Sequence, residues 1–192
     1  MRIVAGKFRS RRIRVGPPPG TRPTSDKLRE TLFNILGTRV IESKFLDAYA
    51  GVGAIGIEAV SRGAGTVTFV DSSARACAAI RANLADLRIE GGFRVVQSDL
   101  VRALARVAQS ETPPGAGGVF DIAFLDPPYA EASLYLRDLD VFAAGSFVSP
   151  DGLVILEHAR GFELPEQSGR LVRFRVHPQG DSALSFYQQE SQ

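Results

Sequence analysis

Five short apolar runs recur along the chain with helix-length segments between them, and this alternation limits the fold more than any other feature. The runs are KFLDAY (44–49), TVTFVD (66–71), FRVVQSD (93–99), FDIAFLD (120–126) and GLVILEH (152–158). Helical patterns fill the gaps at roughly 54–62, 73–87, 100–109 and 132–144. A helical link of about 10–15 residues lets consecutive strands run parallel, whereas a tight turn makes them antiparallel. The chain therefore reads as a parallel α/β sheet with helices on both faces. Its end differs: LVRFRVH (171–177) and ALSFYQQ (183–189) are joined by a short HPQGDS turn. The expected fold is a mostly parallel, seven-stranded sheet that closes with an antiparallel hairpin. Ligands of such sheets bind at the carboxyl ends of the strands, near the topological switch point.

Residues 1–20 stand apart from this pattern. Ile13 and Val15 alternate with Arg12 and Arg14, and GPPPG (16–20) forms a stiff spacer. The segment reads as a small hairpin or a flexible arm ahead of a domain spanning 21–192. Thr24 or Ser25 can cap a helix that runs to about Leu36, with Leu28, Leu32, Ile35 and Leu36 as its apolar stripe and Gly37 as its stop. Net charge is only +2, but residues 1–30 carry nine Lys/Arg against two acids, and the remainder fourteen against nineteen. A basic arm on a mildly acidic body points to a polyanionic partner. Arg2, Lys7, Arg9, Arg11, Arg12 and Arg14 are candidate phosphate contacts, with Phe8 among them. The bland alternative is a solubilising tail.

Composition excludes several classes. At 192 residues and 44% hydrophobic content the chain holds material for one core and is not disordered. No run approaches the ~20 apolar residues of a membrane helix. MRIVAGKFRSRRIRV shows no apolar leader segment, so a reducing cytoplasm is expected. One cysteine, Cys77, excludes an intramolecular disulfide, and two distant histidines do not make a metal site.

The first core strand runs into Asp47-Ala48-Tyr49-Ala50-Gly51-Val52-Gly53-Ala54-Ile55-Gly56. Gly51, Gly53 and Gly56 match G-x-G-x-x-G. The first two allow a tight turn and close backbone approach to a ligand, and the third lets helix and strand pack. Asp71 lies twenty residues beyond Gly51, where an acid can accept from ribose hydroxyls. The loop alone fits NAD, FAD or S-adenosylmethionine (SAM). Asp47 favours SAM, since a carboxylate there can face an ammonium group and would repel a pyrophosphate. Asp47 can equally be a loop-capping carboxylate.

Asp126-Pro127-Pro128-Tyr129 follows the fourth strand directly. The exocyclic amine of a base is a poor nucleophile because its lone pair is delocalised into the ring. Acceptors on its N–H groups let the nitrogen rehybridise toward a methyl donor. The Asp126 side chain and the Pro127 carbonyl suit that task, and the two prolines hold them rigidly. Tyr129 offers a face on which an extruded base can stack. The alternative is a plain Asp-Pro turn.

In these motifs the chain resembles the SAM-dependent class I methyltransferases that modify exocyclic amines, and more closely the RsmD family. The resemblance rests on RIVAGKFRSRRI, RPTSDKLRETLFNIL (22–36), FLDAYAGVGAIGIEAVSRGA (45–64), DPPY and LVILEH. It implies a Rossmann-like class I fold and methylation of a guanine N2 in 16S ribosomal RNA within the small ribosomal subunit. It implies that Asp47, Gly51 and Gly53 line the methionine part of SAM, that Asp71 holds the ribose where the family often has Glu, and that Asp99 meets the adenine amine. Tyr49, Ser72 and Leu100 complete that lining, and Arg22 and Thr24 fall in the segment that closes over the cofactor. Asp126, Pro127, Pro128 and Tyr129 would hold the target guanine. No metal is implied, and a monomer is the default. The competing readings are a DNA or other RNA amine methyltransferase, a glutamine methyltransferase of proteins, an NAD-binding oxidoreductase and an RNA-binding module. His158, at a strand end after Glu157, reads as structural, and His177 as a surface residue. Cys77, Phe45 and Phe69 read as packing.

Overall fold

Element boundaries in the computed structural model follow the sequence pattern closely. It describes residues 1–13, 25–111, 120–129 and 131–190, which divide into two compact units, Met1–Asp99 and Leu100–Gln192. Helix α1 (Asp26–Leu36) starts where the Ser25 hydroxyl accepts from the Leu28 amide at 3.1 Å. It stops at Gly37, whose φ of 54° few other residues adopt at ease. Its buried face is Leu28, Arg29, Leu32, Phe33 and Leu36. Ile35, expected on that stripe, is only half-buried, and Phe33 takes its place.

In the first unit, strands β1 (Lys44–Ala48), β2 (Thr66–Asp71) and β3 (Phe93–Gln97) pair in parallel in the order β3-β2-β1. Helices α2 (Ala54–Ser61) and α3 (Ala74–Asp86) make the crossovers. Phe45, Leu46, Val67, Phe69, Ile57, Ile80 and Cys77 are fully buried between them. Strand β2 ends at Asp71, and β1 leads into Tyr49 and the glycine loop.

Residues 1–13 form a hairpin, closed by an antiparallel bridge between Arg2 and Arg12 and by Ile3 N–H to Arg11 O at 3.0 Å. It is docked on α2. Buried Glu58 accepts from the amides of Val4 and Ala5 at 2.8 and 2.9 Å, and from Arg62 Nε at 2.8 Å. Gly6, at φ 83°, lies so close to α2 that a Cβ there would sit 1.8 Å from Ser61 O. Phe8 is buried in this contact, so it serves packing and offers no open ring to a partner, a correction to the expectation from sequence. Arg29 of α1 is also fully buried, and its guanidinium donates to Arg2 O at 2.5 Å and to Asp26 Oδ1 at 2.9 Å.

In the second unit, α4 (Leu100–Glu111) precedes β4 (Phe120–Leu125), α5 (Ala132–Ala144) and β5 (Val148–Ala159). The last three strands are β6 (Gln167–Ser168), β7 (Leu171–Gln179) and β8 (Ser182–Gln189). Strands β4 and β5 are parallel, whereas β8, β7 and β6 follow antiparallel in the order β4-β5-β8-β7-β6. Among the described residues the seven expected strands are present, and β6 is an eighth, too short to leave a periodic signal. Alternation along β7 predicts that Val172, Phe174 and Val176 share one face opposite Arg173, Arg175 and His177. A β-bulge between Arg173 and Arg175 breaks that register, and Phe174 and Val176 are 54% and 47% exposed. His177 is half-buried rather than open.

Candidate active site

The glycine loop is held open by carboxylates at two strand ends of the first unit. Asp47, at 2% exposure, accepts from the Gly56 amide at 2.8 Å through Oδ2. Asp71 accepts from the Gly51 amide at 2.9 Å and from the Ser73 amide at 2.8 Å. Asn83 of α3 donates from Nδ2 to Val52 O at 3.1 Å, a tie with no sequence signal. The loop also crosses toward β2 through Ala50 N–H to Val70 O at 3.0 Å.

The three glycines meet three different demands. Gly51, at φ 56°, needs its conformation, and a Cβ there would meet nothing within 4 Å. Gly53, at φ 80°, precedes α2, and its added Cβ would press on Phe69 and Ile80 at 3.2 Å. Gly56 has ordinary helical backbone, but a Cβ would lie 2.2 Å from Phe69 Cε1. The third glycine thus packs helix on strand, as the motif requires. Tyr49 also takes a positive φ, 59°, the kind of backbone strain that collects at functional loops.

Asp47 is strongly perturbed electrostatically. Burial raises its pKa from 3.8 to about 8; the Gly56 amide opposes that rise, and the nearby Asp71 charge adds to it. A neutral carboxyl is therefore favoured at neutral pH until a cation arrives. Asp99 and Ser72 are exposed, beyond the ends of β3 and β2, and Leu100 is buried at the start of α4. Arg22, Thr24 and Arg14 lie outside the described residues. Among the arm cations, Arg2, Lys7, Arg9, Arg11 and Arg12 are all exposed. Arg11 donates to the carbonyls of Leu87 and Asp86 at 2.8 and 3.1 Å, at the C-terminal end of α3 where the helix dipole favours a cation.

The tetrad sits at the end of β4 in the second unit. Asp126 is half-exposed, Pro127 buried, Pro128 exposed and Tyr129 half-exposed. Three residues of other elements reach it. The Tyr135 hydroxyl of α5 donates to Pro127 O at 3.3 Å. The Tyr129 hydroxyl donates to Glu157 Oε1 at 3.2 Å and lies 2.8 Å from Ser182 Oγ. Burial pushes the Tyr129 phenol up to about 12; the Ser182 hydrogen bond lowers it, and the Glu157 and Asp126 charges add to the rise. Burial likewise raises Tyr135. Both phenols are protonated donors at neutral pH.

His158 does not reach this chemistry. Its Nδ1 is 2.9 Å from Ala159 O, which can only accept, so Nδ1 carries the proton. Nε2 then accepts from Ser185 Oγ at 2.9 Å, and burial lowers the ring pKa. The histidine is a neutral, satisfied core residue. Tyr135, Ser182 and Asn83 carry no sequence signal of their own, because each is a lone polar residue whose partner lies outside its own element; Glu58 is paired locally with Arg62, but its hold on the hairpin has no such signal. Among the described residues no group of His, Cys, Asp and Glu could hold a metal ion, and no helix is long and apolar enough to cross a membrane.

Known proteins resemble this chain over nearly its whole length. A family model described as conserved hypothetical protein 95 matches residues 1–188. YlbH of Bacillus subtilis (strain 168) is 36% identical over 187 residues, 97% of this chain and 98% of that protein. "Ribosomal RNA small subunit methyltransferase D" of Escherichia coli (strain K12) is 33% identical over 192 residues, 100% of this chain and 91% of that protein. The solved structure of the yhhF protein from Escherichia coli superposes with a TM-score of 0.82 at 31% identity, covering 100% of this chain and 99% of that one. The α/β pattern, the glycine loop, the DPPY tetrad and these full-length likenesses agree: the chain belongs to the conserved hypothetical protein 95 family, the RsmD family of Rossmann-like methyltransferases.

Proposed function

We propose that this protein is a SAM-dependent ribosomal RNA methyltransferase acting on the exocyclic N2 amine of a guanine in 16S RNA. The observation that carries the reading is the tetrad at the end of β4, with a partly open Asp126 and a Pro127 carbonyl already receiving a donor. The relatives' printed names give the substrate class, small-subunit ribosomal RNA. The assembled small subunit, a monomeric enzyme and a cytoplasmic location are part of this proposal. So is the division of labour between a basic segment of 1–20 that grips RNA and a catalytic domain of 21–192.

The residues of the first unit suit the cofactor. The loop has open space at Gly51, a buried carboxyl in Asp47 that a bound ammonium would draw into its charged form, and a carboxylate in Asp71. Asp47, Tyr49, Gly51 and Gly53 would hold the methionine end, Asp71 and Ser72 the ribose, and Asp99 and Leu100 the adenine, with Arg22 and Thr24 closing over it. Bound there, SAM supplies an electrophilic methyl group on its sulfonium. Asp126 and the Pro127 carbonyl accept the two N–H groups of the guanine amine, so its lone pair leaves conjugation and becomes nucleophilic. Tyr129 stacks on the base. Arg2, Lys7, Arg9, Arg11, Arg12 and Arg14 hold phosphates. Catalysis is mostly positioning, which can supply several kcal/mol.

The test is methyl transfer from labelled SAM to small ribosomal subunits from a strain lacking the activity, with mass spectrometry of the digested nucleosides. N2-methylguanosine at one site is expected. Transfer to DNA or protein instead would discard the RNA reading, and an Asp126→Ala variant that folds and keeps full activity would falsify the mechanism.

A further inference from the structure

The tetrad's tyrosine is not held by the tetrad alone. Its hydroxyl lies between a carboxylate at the end of β5 and a hydroxyl at the start of β8, strands that pair antiparallel with His158 opposite Ala183 and Ala159 opposite Ser182. The proton arrangement follows from donor counting. A tyrosine has one O–H, and the Glu157 carboxylate can only accept, so that proton goes to Glu157. Ser182 must then donate to the Tyr129 oxygen. The chain Ser182 O–H to Tyr129 O–H to Glu157 is complete and directional. Glu157 and Ser182 are 5% exposed each, so water competes little for these bonds.

We propose that Glu157 and Ser182 are positioning residues that lock the Tyr129 ring as the platform on which the target base stacks. Stacking depends on ring orientation, and a ring fixed at Cβ alone rotates and tilts. A ring also fixed at its far oxygen by two partners keeps its position and tilt, so part of its ordering entropy is spent before RNA arrives. The proposal rests on the functional reading above and deepens it, because it concerns the base-binding half alone. It assigns nothing to the cofactor half.

A double-mutant cycle on small ribosomal subunits tests it, with KM for the subunit, kcat and SAM affinity by calorimetry read separately. Tyr129→Phe keeps the ring and loses the tether. Ser182→Ala loses one partner. Each is expected to raise KM for the subunit about fivefold, the ordinary worth of one net hydrogen bond, with SAM affinity unchanged. In the Tyr129→Phe background, Ser182→Ala is expected to add nothing, because the serine acts only through the missing hydroxyl. Glu157→Gln retains an acceptor and should stay near wild type, whereas Glu157→Ala should fall with Tyr129→Phe. The proposal is overturned if Ser182→Ala is silent in the wild-type background, or costs as much without the hydroxyl as with it. Should wild-type enzyme fail to methylate subunits at all, the functional reading fails instead. The clamp can then be read separately from the side-chain order of Tyr129 in NMR relaxation, which Ser182→Ala must lower.

Discussion

Replacing Asp47 by Asn tests the buried carboxyl at the end of β1. The asparagine keeps an oxygen for the Gly56 amide and removes the ionisable proton. In the folded chain Asp47 holds its proton up to about pH 8, against an ordinary carboxyl value of 3.8. The folded state therefore binds more protons than the unfolded one between those limits. Stability must fall as pH rises through that window, by up to ~1.36 kcal/mol per pH unit for one proton. Over the roughly four pH units concerned, the cost of ionising Asp47 reaches on the order of 5 kcal/mol as an upper limit. Asp47→Asn does not incur it. Urea unfolding of both proteins at pH 5, 7 and 9 is the assay, with the difference in unfolding free energy as the quantity read, so that other titrating groups cancel. The variant should gain on wild type steadily from pH 5 to 8 and level off above. Parallel curves at all three pH values would refute the account of a carboxyl kept neutral by burial.

Four further outcomes follow from the geometry. Gly56→Ala should destabilise by about 1–3 kcal/mol in denaturant melts, since its Cβ meets the Phe69 ring at 2.2 Å. Gly6→Ala should undock the N-terminal hairpin, because its Cβ would sit 1.8 Å from Ser61 O, a backbone atom that cannot swing aside. Limited proteolysis within residues 1–13 reads that loss. Tyr135→Phe should lower kcat several-fold while leaving SAM affinity alone, since only the donor to Pro127 O is removed. Replacing exposed Arg9 and Arg12 by Gln should weaken binding to small subunits and flatten the salt dependence of log K by about 1–2, and an unchanged slope would remove these residues from the RNA contact.

Much of this protein is written locally in its sequence. The strand–helix alternation, the Ser25 cap, the Gly37 stop and the span of β2 all depend on near neighbours, and the structure returns them, although β5 starts at Val148, four residues before the run read from the sequence. The glycine motif and the tetrad are likewise contiguous, so their chemistry could be read without coordinates. The bulge in β7 could not, since alternation along a strand is silent about the register of its partner. Nor could the state of Phe8, whose charged neighbours suggest an open surface while its ring packs against the body of the fold. Glu58 under the hairpin, Tyr135 behind Pro127 and Ser182 beside Tyr129 are polar side chains that meet groups 8 to 54 positions away. A lone polar residue gains meaning only from the group it meets, and that meeting is decided by chain folding. The sequence alone determined the fold class and offered the candidate reacting groups. Tertiary structure decided which of those groups are buried, which are tethered, and at what pH Asp47 gives up its proton.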